Sequence, residues 1–501
     1  MPPTSPAADR FVSTGIAGLD EVLCGGFVRG GLALLQGEPG TGKTTLGLQF
    51  LFDGAARGQR GMYVSLTEDR RDIERICAAH GWDITRIEVA DMTRNDFNQP
   101  RDADYLMFQP TEVELGETTR QIVKEIERVE PQRLIFDGMS ELRLLAAEPL
   151  RYRRQLLALK QYFDQHNITV LLLDDRTQPL DGIGPESLVG SNLIFERTLP
   201  DYGGMRRRLV VTKVRGETFR HGYHEYEIEP GGIVVHPRVV ASGHSTGFER
   251  TKLASAVPNL DTMLSGGLHS GTTTLLLGPA GVGKSTCAMT FVAAALKAGD
   301  AAAVFTFDEV LANLFERTRK LCDERIEAYI DSGQLHAQQI DPAELGPGAF
   351  ARQVKDLVDR GTKVVLIDSL NGYMSAMPDE RFLVTHLHEL FTFLNERGIV
   401  TVVTVAQHGL LAGPHDDLDV SYLADTVLLL RYFEANAEIR QAISVFKNRI
   451  GPHERMLREL LIDSSGVRVG EPLHDFEGIL TGVPTYRGRT QMLPERSSDA
   501  V

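Results

Sequence analysis

The sequence predicts the α/β fold class, realised twice: two tandem domains, each a mostly parallel sheet flanked by helices. Three observations predict it. The 501-residue chain contains a long internal repeat. Its apolar runs are continuous rather than alternating, which marks strands buried on both faces. Those runs alternate with helical stretches, the order of a doubly wound sheet.

The repeat has one offset. STGIAGLDEVLCGGFVRGGLALLQGEPGTGKTTL, from Ser13, is answered by SAVPNLDTMLSGGLHSGTTTLLLGPAGVGKST, from Ser255. Leu19 and Leu260, Lys43 and Lys284, and Glu68 and Glu309 each lie 241 positions apart. Chance does not give one spacing to three separate features, and the period is far too long for a solenoid. Each half then runs in one order. A glycine turn leads into a short apolar strand, Leu32 to Gln36 or Thr274 to Leu277, followed by a glycine loop and a helix. A second strand, Gly61 to Leu66 or Ala302 to Phe307, ends in acids. A third apolar run ends at Asp137 or Asp368, and a fourth lies at 169–175 or 399–407. Strand-like segments at 207–216 and 441–451 come last. The expected domains are 11–236 and 251–486, joined by a linker at 237–250. Each is large enough for its own core. The polar ends, 1–10 and 487–501, are expected to be disordered or flexible.

Composition narrows the function. Lys and Arg number 53 against 68 Asp and Glu, a formal net charge of −15. That counts against a protein that coats nucleic acid, because such affinity comes from cations neutralising phosphates. Cys24, Cys77, Cys287 and Cys322 form no CxxC pair, so neither a zinc site nor a disulfide framework is expected. His386 and His388, two apart on a helical stretch, fall on different faces and do not read as a metal pair. MPPTSPAADR does not read as a targeting signal, and no apolar stretch is long enough for a bilayer. A cytoplasmic protein without a membrane partner is expected.

The chemistry lies in the glycine loops. Gly37-Glu38-Pro39-Gly40-Thr41-Gly42-Lys43-Thr44-Thr45 and Gly278-Pro279-Ala280-Gly281-Val282-Gly283-Lys284-Ser285-Thr286 both contain GxxxxGK[ST]. Glycines let the backbone amides curl into an anion nest. The helix that follows adds its dipole and unpaired amides. The lysine reaches the terminal phosphates of ATP, and Thr44 or Ser285 joins the Mg2+ shell. Asp137 and Asp368, at strand ends, suit the same ion held through water; the alternative for each is a helix cap. Hydrolysis also needs a carboxylate to orient or deprotonate water. Glu68 with Asp69, and Asp308 with Glu309, end the strand expected beside each loop. One acid of each pair can do this while the other caps a helix. Lastly, Lys213 with Arg215, and Lys447 with Arg449, put two cations on one face of a strand. Each pair lies far along the chain from its own loop, which suggests delivery to a neighbouring subunit as an arginine finger. A solvated strand end is the alternative.

On these motifs, with the block SYLADTVLLLRYFEA…IRQAISVFKNRIGPHERMLREL, residues 11–486 resemble the KaiC family of tandem RecA-like P-loop ATPases. The resemblance implies a two-tiered homohexamer with ATP at subunit interfaces. It implies a slow ATPase in the first domain and a serine/threonine autokinase and autophosphatase in the second. It sets Asp308 and Glu309 at the kinase base, and Ser421 at the first phosphorylation position. Tyr422 stands where the clock proteins have threonine, and Asp308 where they have glutamate. A phenol is longer and stiffer than a threonine hydroxyl, so the resemblance carries phosphorylation to Ser421 rather than to an ordered two-site cycle. Asp417 matches an acid of the pattern, and Asp416 replaces a threonine. Implied partners are further copies of the chain, a KaiB-like protein, and histidine kinases or response regulators. Two other readings stand beside this one. A RecA-like DNA-dependent ATPase or recombinase would be stimulated by DNA, and the net charge counts against it. A nucleotide-gated scaffold would bind ATP without kinase activity.

Overall fold

The computed structural model describes residues 10–93, 111–146, 148–176, 185–199, 204–239, 247–341, 343–375, 380–407, 421–435, 437–479 and 485–486. The chain divides into two compact units, Met1–Arg238 and Val239–Val501. The tail beyond Tyr486, and Asp416 and Asp417, lie outside the described residues.

The first unit is built on a nine-stranded sheet: β1 (Leu32–Gly37), β2 (Gly61–Ser65), β3 (Glu88–Asp91), β4 (Arg133–Asp137), β5 (Thr169–Asp175), β6 (Ser191–Thr198), β7 (Arg206–Val214), β8 (Tyr223–Glu229) and β9 (Gly232–His236). Across the sheet they lie in the order β9-β8-β7-β6-β1-β5-β4-β2-β3. From β6 to β3 the pairing is parallel, and β7, β8 and β9 fold back as an antiparallel extension. The second unit has β10 (Thr272–Gly278), β11 (Ala301–Thr306), β12 (Leu335–Gln339), β13 (Thr362–Asp368), β14 (Val400–Ala406), β15 (Thr426–Ala435), β16 (Glu438–Asn448), β17 (Arg458–Asp463) and β18 (Gly466–Pro472). Its order, β18-β17-β16-β15-β10-β14-β13-β11-β12, repeats the first strand for strand. This is the expected fold class, α/β with two mostly parallel sheets flanked by helices.

Continuous apolar strands follow from cores on both faces. Every residue of β1 is buried. Ala33 and Leu35 join the core shared with the helix Lys43–Ala56. Leu32 and Leu34 join the opposite one, with Ile122, Ile126 and Leu156 from two other helices. In the second unit Leu276 meets the core of the helix Lys284–Lys297, while Leu275 meets that of the helices Pro347–Asp359 and Glu380–Glu396. Period-two side-chain alternation thus feeds two apolar layers at once. The antiparallel strands β8, β9, β17 and β18 go beyond the segments the sequence marks.

The fold places each glycine loop directly after the central strand of its sheet. Gly42 and Gly283 cap the two loop helices with φ of 92° and 100°. A Cβ at Gly42 would lie 2.8 Å from Ile228 Cδ1, and one at Gly283 would lie 2.3 Å from Ile462 Cδ1. Both the left-handed backbone and this close approach demand glycine. Among the described residues no helix is long and apolar enough to cross a membrane, and no His/Cys/Asp/Glu cluster could hold a metal by itself.

Candidate functional site

Each loop draws its lysine back onto its own carbonyls. Lys43 Nζ donates to Gly37 O at 2.9 Å and Glu38 O at 3.0 Å. It also lies 2.8 Å from Asp175 Oδ1, at the end of β5. Lys284 Nζ donates to Gly278 O at 2.9 Å and Pro279 O at 2.8 Å. Burial lowers the Lys284 pKa, and Asp368 opposes this. The row partner of Gly278 on β14 is Ala406, where β5 has Asp175, so among the described residues that ion pair belongs to the first loop alone. Tyr226 from β8 donates to Thr41 O at 2.6 Å and steadies the first loop from beneath.

The strand-end aspartates sit beside these lysines in different company. Asp137 ends β4 and accepts a hydrogen bond from the Tyr63 hydroxyl on β2. Burial pushes Asp137 up to about 6, with the Asp175 charge adding to the rise and the Tyr63 bond opposing it. Asp368 ends β13 and accepts from the Thr404 hydroxyl on β14. Burial raises its pKa too, while Thr404 and Ser285 favour its charged form. Its second oxygen, Oδ2, is buried and accepts no hydrogen bond among the described residues. A carboxylate oxygen left so is suited to a cation or its water shell. Tyr63 and Thr404 escape a sequence reading, because buried strand residues look like core.

The two acidic pairs are out of register. The helices Arg70–His80 and Leu311–Leu321 keep the 241-residue offset. It sets Glu68 opposite Glu309, Thr67 opposite Asp308, and Asp69 opposite Val310. Asp69 is the N-cap of its helix and accepts from the Asp72 amide at 3.0 Å. Glu68 instead lies within electrostatic reach of Lys43. One of its oxygens is buried with no hydrogen-bond partner among the described residues. Burial, then Asp137, Asp72 and Asp175, push it up to about 7, against the pull of Lys43. In the second domain Asp308 accepts from the Ser369 hydroxyl. Glu309 is held by Arg317 through two bonds of 2.7 Å.

The Lys/Arg pairs lie away from their own loops. Lys213 on β7 pairs with Asn192 on β6, in the row of Leu34. Lys447 on β16 pairs with Val427 on β15, in the row of Leu275. Both lysines are therefore two strands across and three rows back from where the loop begins, on the order of 10 Å in each direction. Lys213 Nζ donates to Glu186 O at 2.9 Å, and Arg215 donates to Ser187 O at 3.3 Å. Lys447 Nζ donates to Ser421 O at 2.9 Å, and Arg449 donates to Tyr422 O at 3.0 Å. Each cation pair thus buttresses one short 3₁₀ turn, Pro185–Ser187 or Ser421–Leu423. The turns correspond, so Ser421 of the second domain stands where the first has Glu186. The structure brings Ser421 and exposed Tyr422 together with Lys447 and Arg449, and keeps all four apart from Lys284, Asp308, Glu309 and Asp368 of the same chain.

The comparisons with known proteins follow the same duplication. The family model described as "ATPase: KaiC" matches residues 12–240 and again 253–474. The circadian clock oscillator protein KaiC of Acaryochloris marina is 25% identical over 486 residues, covering 95% of this chain and 91% of that one. The circadian clock protein KaiC3 of Synechocystis is 25% identical over 489 residues, covering 96% of both. With both repeats matched and two phosphate loops built alike on two like sheets, the chain belongs to the KaiC family of ATPases.

Proposed function

We propose that the protein is an ATP-hydrolysing ring of identical subunits whose second domain also phosphorylates itself on Ser421. In this reading ATP and Mg2+ bind at Gly37–Thr45 and Gly278–Thr286, completed by Lys213 and Arg215, or Lys447 and Arg449, from the neighbouring copy. The observation that carries it is the shared location of Ser421, Lys447 and Arg449, at a distance from their own loop. Cations that reach a neighbour's γ-phosphate from there bring the serine with them. In the first domain the corresponding residue is Glu186, which has no hydroxyl to accept a phosphoryl group, so hydrolysis is the outcome there.

The Ser421 oxygen attacks the γ-phosphorus of ATP in the adjoining pocket and forms the new P–O bond. The bond to the β-phosphate oxygen breaks and ADP leaves. The serine proton passes to the Asp308 or Glu309 carboxylate. The Mg2+ ion would supply charge neutralisation at the phosphate oxygens when bound. Asp368 with Ser285, and Asp137 with Thr44, are the residues to hold it; the unpartnered Asp368 oxygen fits that task. In the first pocket Glu68 orients water. The hexameric count, a phosphatase activity, a cytoplasmic location, and KaiB-like, histidine-kinase or response-regulator partners extend the reading through the family likeness.

Incubation with γ-labelled ATP and Mg2+ tests it. The wild type should take up label on Ser421, and Ser421→Ala should not. Full labelling of Ser421→Ala would move the acceptor elsewhere. An unlabelled wild type that still hydrolyses ATP would leave an ATPase or a nucleotide-gated scaffold.

A further inference from the structure

The equivalent glutamates of the two domains are held in opposite ways. Eight residues beyond Glu68 comes Ile76, packed against the first core, and one Glu68 oxygen has no hydrogen-bond partner among the described residues. Eight residues beyond Glu309 comes Arg317. Its Nη1 and Nη2 each donate to a separate carboxylate oxygen of Glu309, both at 2.7 Å. This two-point fork is the strongest and most directional form of the contact. Neither partner is fully exposed: the side chains retain 33% and 28% of their surface. Arg317 also lies close enough to Asp368 for each to influence the other's charge. It therefore adds a cation beside the acids of the second pocket, where the first pocket has a hydrocarbon.

To orient water, a carboxylate must turn an oxygen towards it. Both Glu309 oxygens are committed to Arg317, so that motion first breaks two charge-assisted bonds. Glu68 meets no such restraint among the described residues. Among the described residues Asp308 meets the Ser369 hydroxyl rather than a cation.

We propose that Arg317 is a positioning residue that withholds Glu309 from water, so that the second pocket keeps the γ-phosphoryl group of its ATP intact for transfer rather than hydrolysing it. This rests on reading both loops as ATP sites. It divides the labour of the acidic pair, with Asp308 left as the acid for transfer and Glu309 held in reserve. It also assigns the difference in how the two glutamates are held to a single position, 76 or 317.

The full-length chain tests it in a Glu68→Gln background, which quiets hydrolysis in the first pocket. Phosphate release is measured with Arg317→Ile, Arg317→Lys and Arg317→Gln, and a fluorescent ADP reports occupancy of the second pocket. Arg317→Ile should raise kcat at least tenfold, a part of the roughly 10²–10⁴ that a positioned acid–base group supplies, with KM unchanged. Arg317→Lys keeps the charge without the planar fork and should fall between. Adding Glu309→Gln to Arg317→Ile should abolish the gain, which loss of a merely structural bridge would not do. Arg317→Gln keeps most of the aliphatic stem and should show the same rise in kcat, so it replaces the isoleucine variant if that one does not fold. An unchanged or lower kcat in these variants, with fluorescent ADP still bound, overturns the clamp. Absence of any ADP binding that Lys284→Ala removes would instead sink the ATP-site reading, and the clamp with it.

Discussion

Raising the pH from 6 to 8 should raise the first pocket's kcat/KM for ATP about twentyfold, and Glu68→Gln should cut the rise to about twofold. Glu68 is pushed up to about 7 by its burial and by Asp137, Asp72 and Asp175, with Lys43 opposing. The ionised carboxylate is the form that can orient water. Its fraction climbs from about one-tenth at pH 6 to about nine-tenths at pH 8. Asp137, at about 6, titrates in the same direction. Below pH 6 the profile should therefore steepen, as two ionisations are demanded. The quantity to measure is kcat/KM, because it reports the groups of the free enzyme, before phosphates and cation alter the local charge. Phosphate release is followed in Lys284→Ala, which silences the second pocket. Stability should run the other way. A raised carboxyl means the folded chain keeps a proton that the unfolded chain gives up near the ordinary 4.5. That contribution is complete below about 4.5 and is lost as the pH rises through about 7. Glu68→Gln, neutral throughout, should raise the melting temperature at pH 8 relative to the wild type, and much less at pH 5. A kcat/KM that is flat or falling between pH 6 and 8, or a Gln variant that keeps the slope, refutes the assignment of Glu68.

Tyr63→Phe removes the donor that favours ionised Asp137. The acid limb of the profile should move to higher pH and kcat/KM at pH 7 should fall severalfold; a superimposable profile would show that Tyr63 does not hold Asp137. Asp69→Ala strips the N-cap of the helix Arg70–His80 and should cost about 1 kcal/mol in urea unfolding. Arg215→Ala should slow first-pocket hydrolysis by the roughly 10³–10⁵ of a lost arginine finger while nucleotide still binds. Mixing Arg215→Ala with Lys43→Ala subunits should restore activity through pockets that take the lysine from one copy and the arginine from another. A mixture no better than the sum of its parts would end delivery between subunits.

The phosphate loops are legible in the sequence because their chemistry admits few residues. Gly42 and Gly283 are dictated by backbone and by an isoleucine beneath each. The parallel strands are legible because two cores leave no room for polar alternation. The strands β8 and β9 are not. YHEYEIE carries three glutamates along a part-exposed antiparallel extension, and its buried His224 and Tyr226 do not make an apolar run. The acids are legible as a group but not in their pairing. Adjacent carboxylates look equivalent in a sequence; only the start of the following helix tells that Asp69 is a cap and that Thr67 corresponds to Asp308. Arg317 sits in LANLFERTRKL among other charges, and reads as one more cation on a solvated helix. Its meaning depends on the turn between β11 and that helix, which brings Glu309 back over it.

Duplication makes these differences informative, because each domain is the control for the other. Strand order, loop geometry and the rows of the Lys/Arg pairs are held in common, as the proposed function asks of both pockets: bind a triphosphate and receive cations from outside. Around the pockets, the acids, their partners and the acceptor turn differ. The hydroxyl that meets the strand-end aspartate comes from Tyr63 on one neighbouring strand in the first domain, and from Thr404 on the other neighbour in the second. Asp175 gives way to Ala406, Ile76 to Arg317, and Glu186 to Ser421. The last two changes work in one direction. A domain that gains a hydroxyl acceptor benefits only if water does not take the phosphoryl group first. A restrained Glu309 and an available Ser421 are thus parts of one adaptation, and variants at 317 and 421 should be coupled: releasing Glu309 should lower the yield of phosphoserine even though Ser421 is untouched.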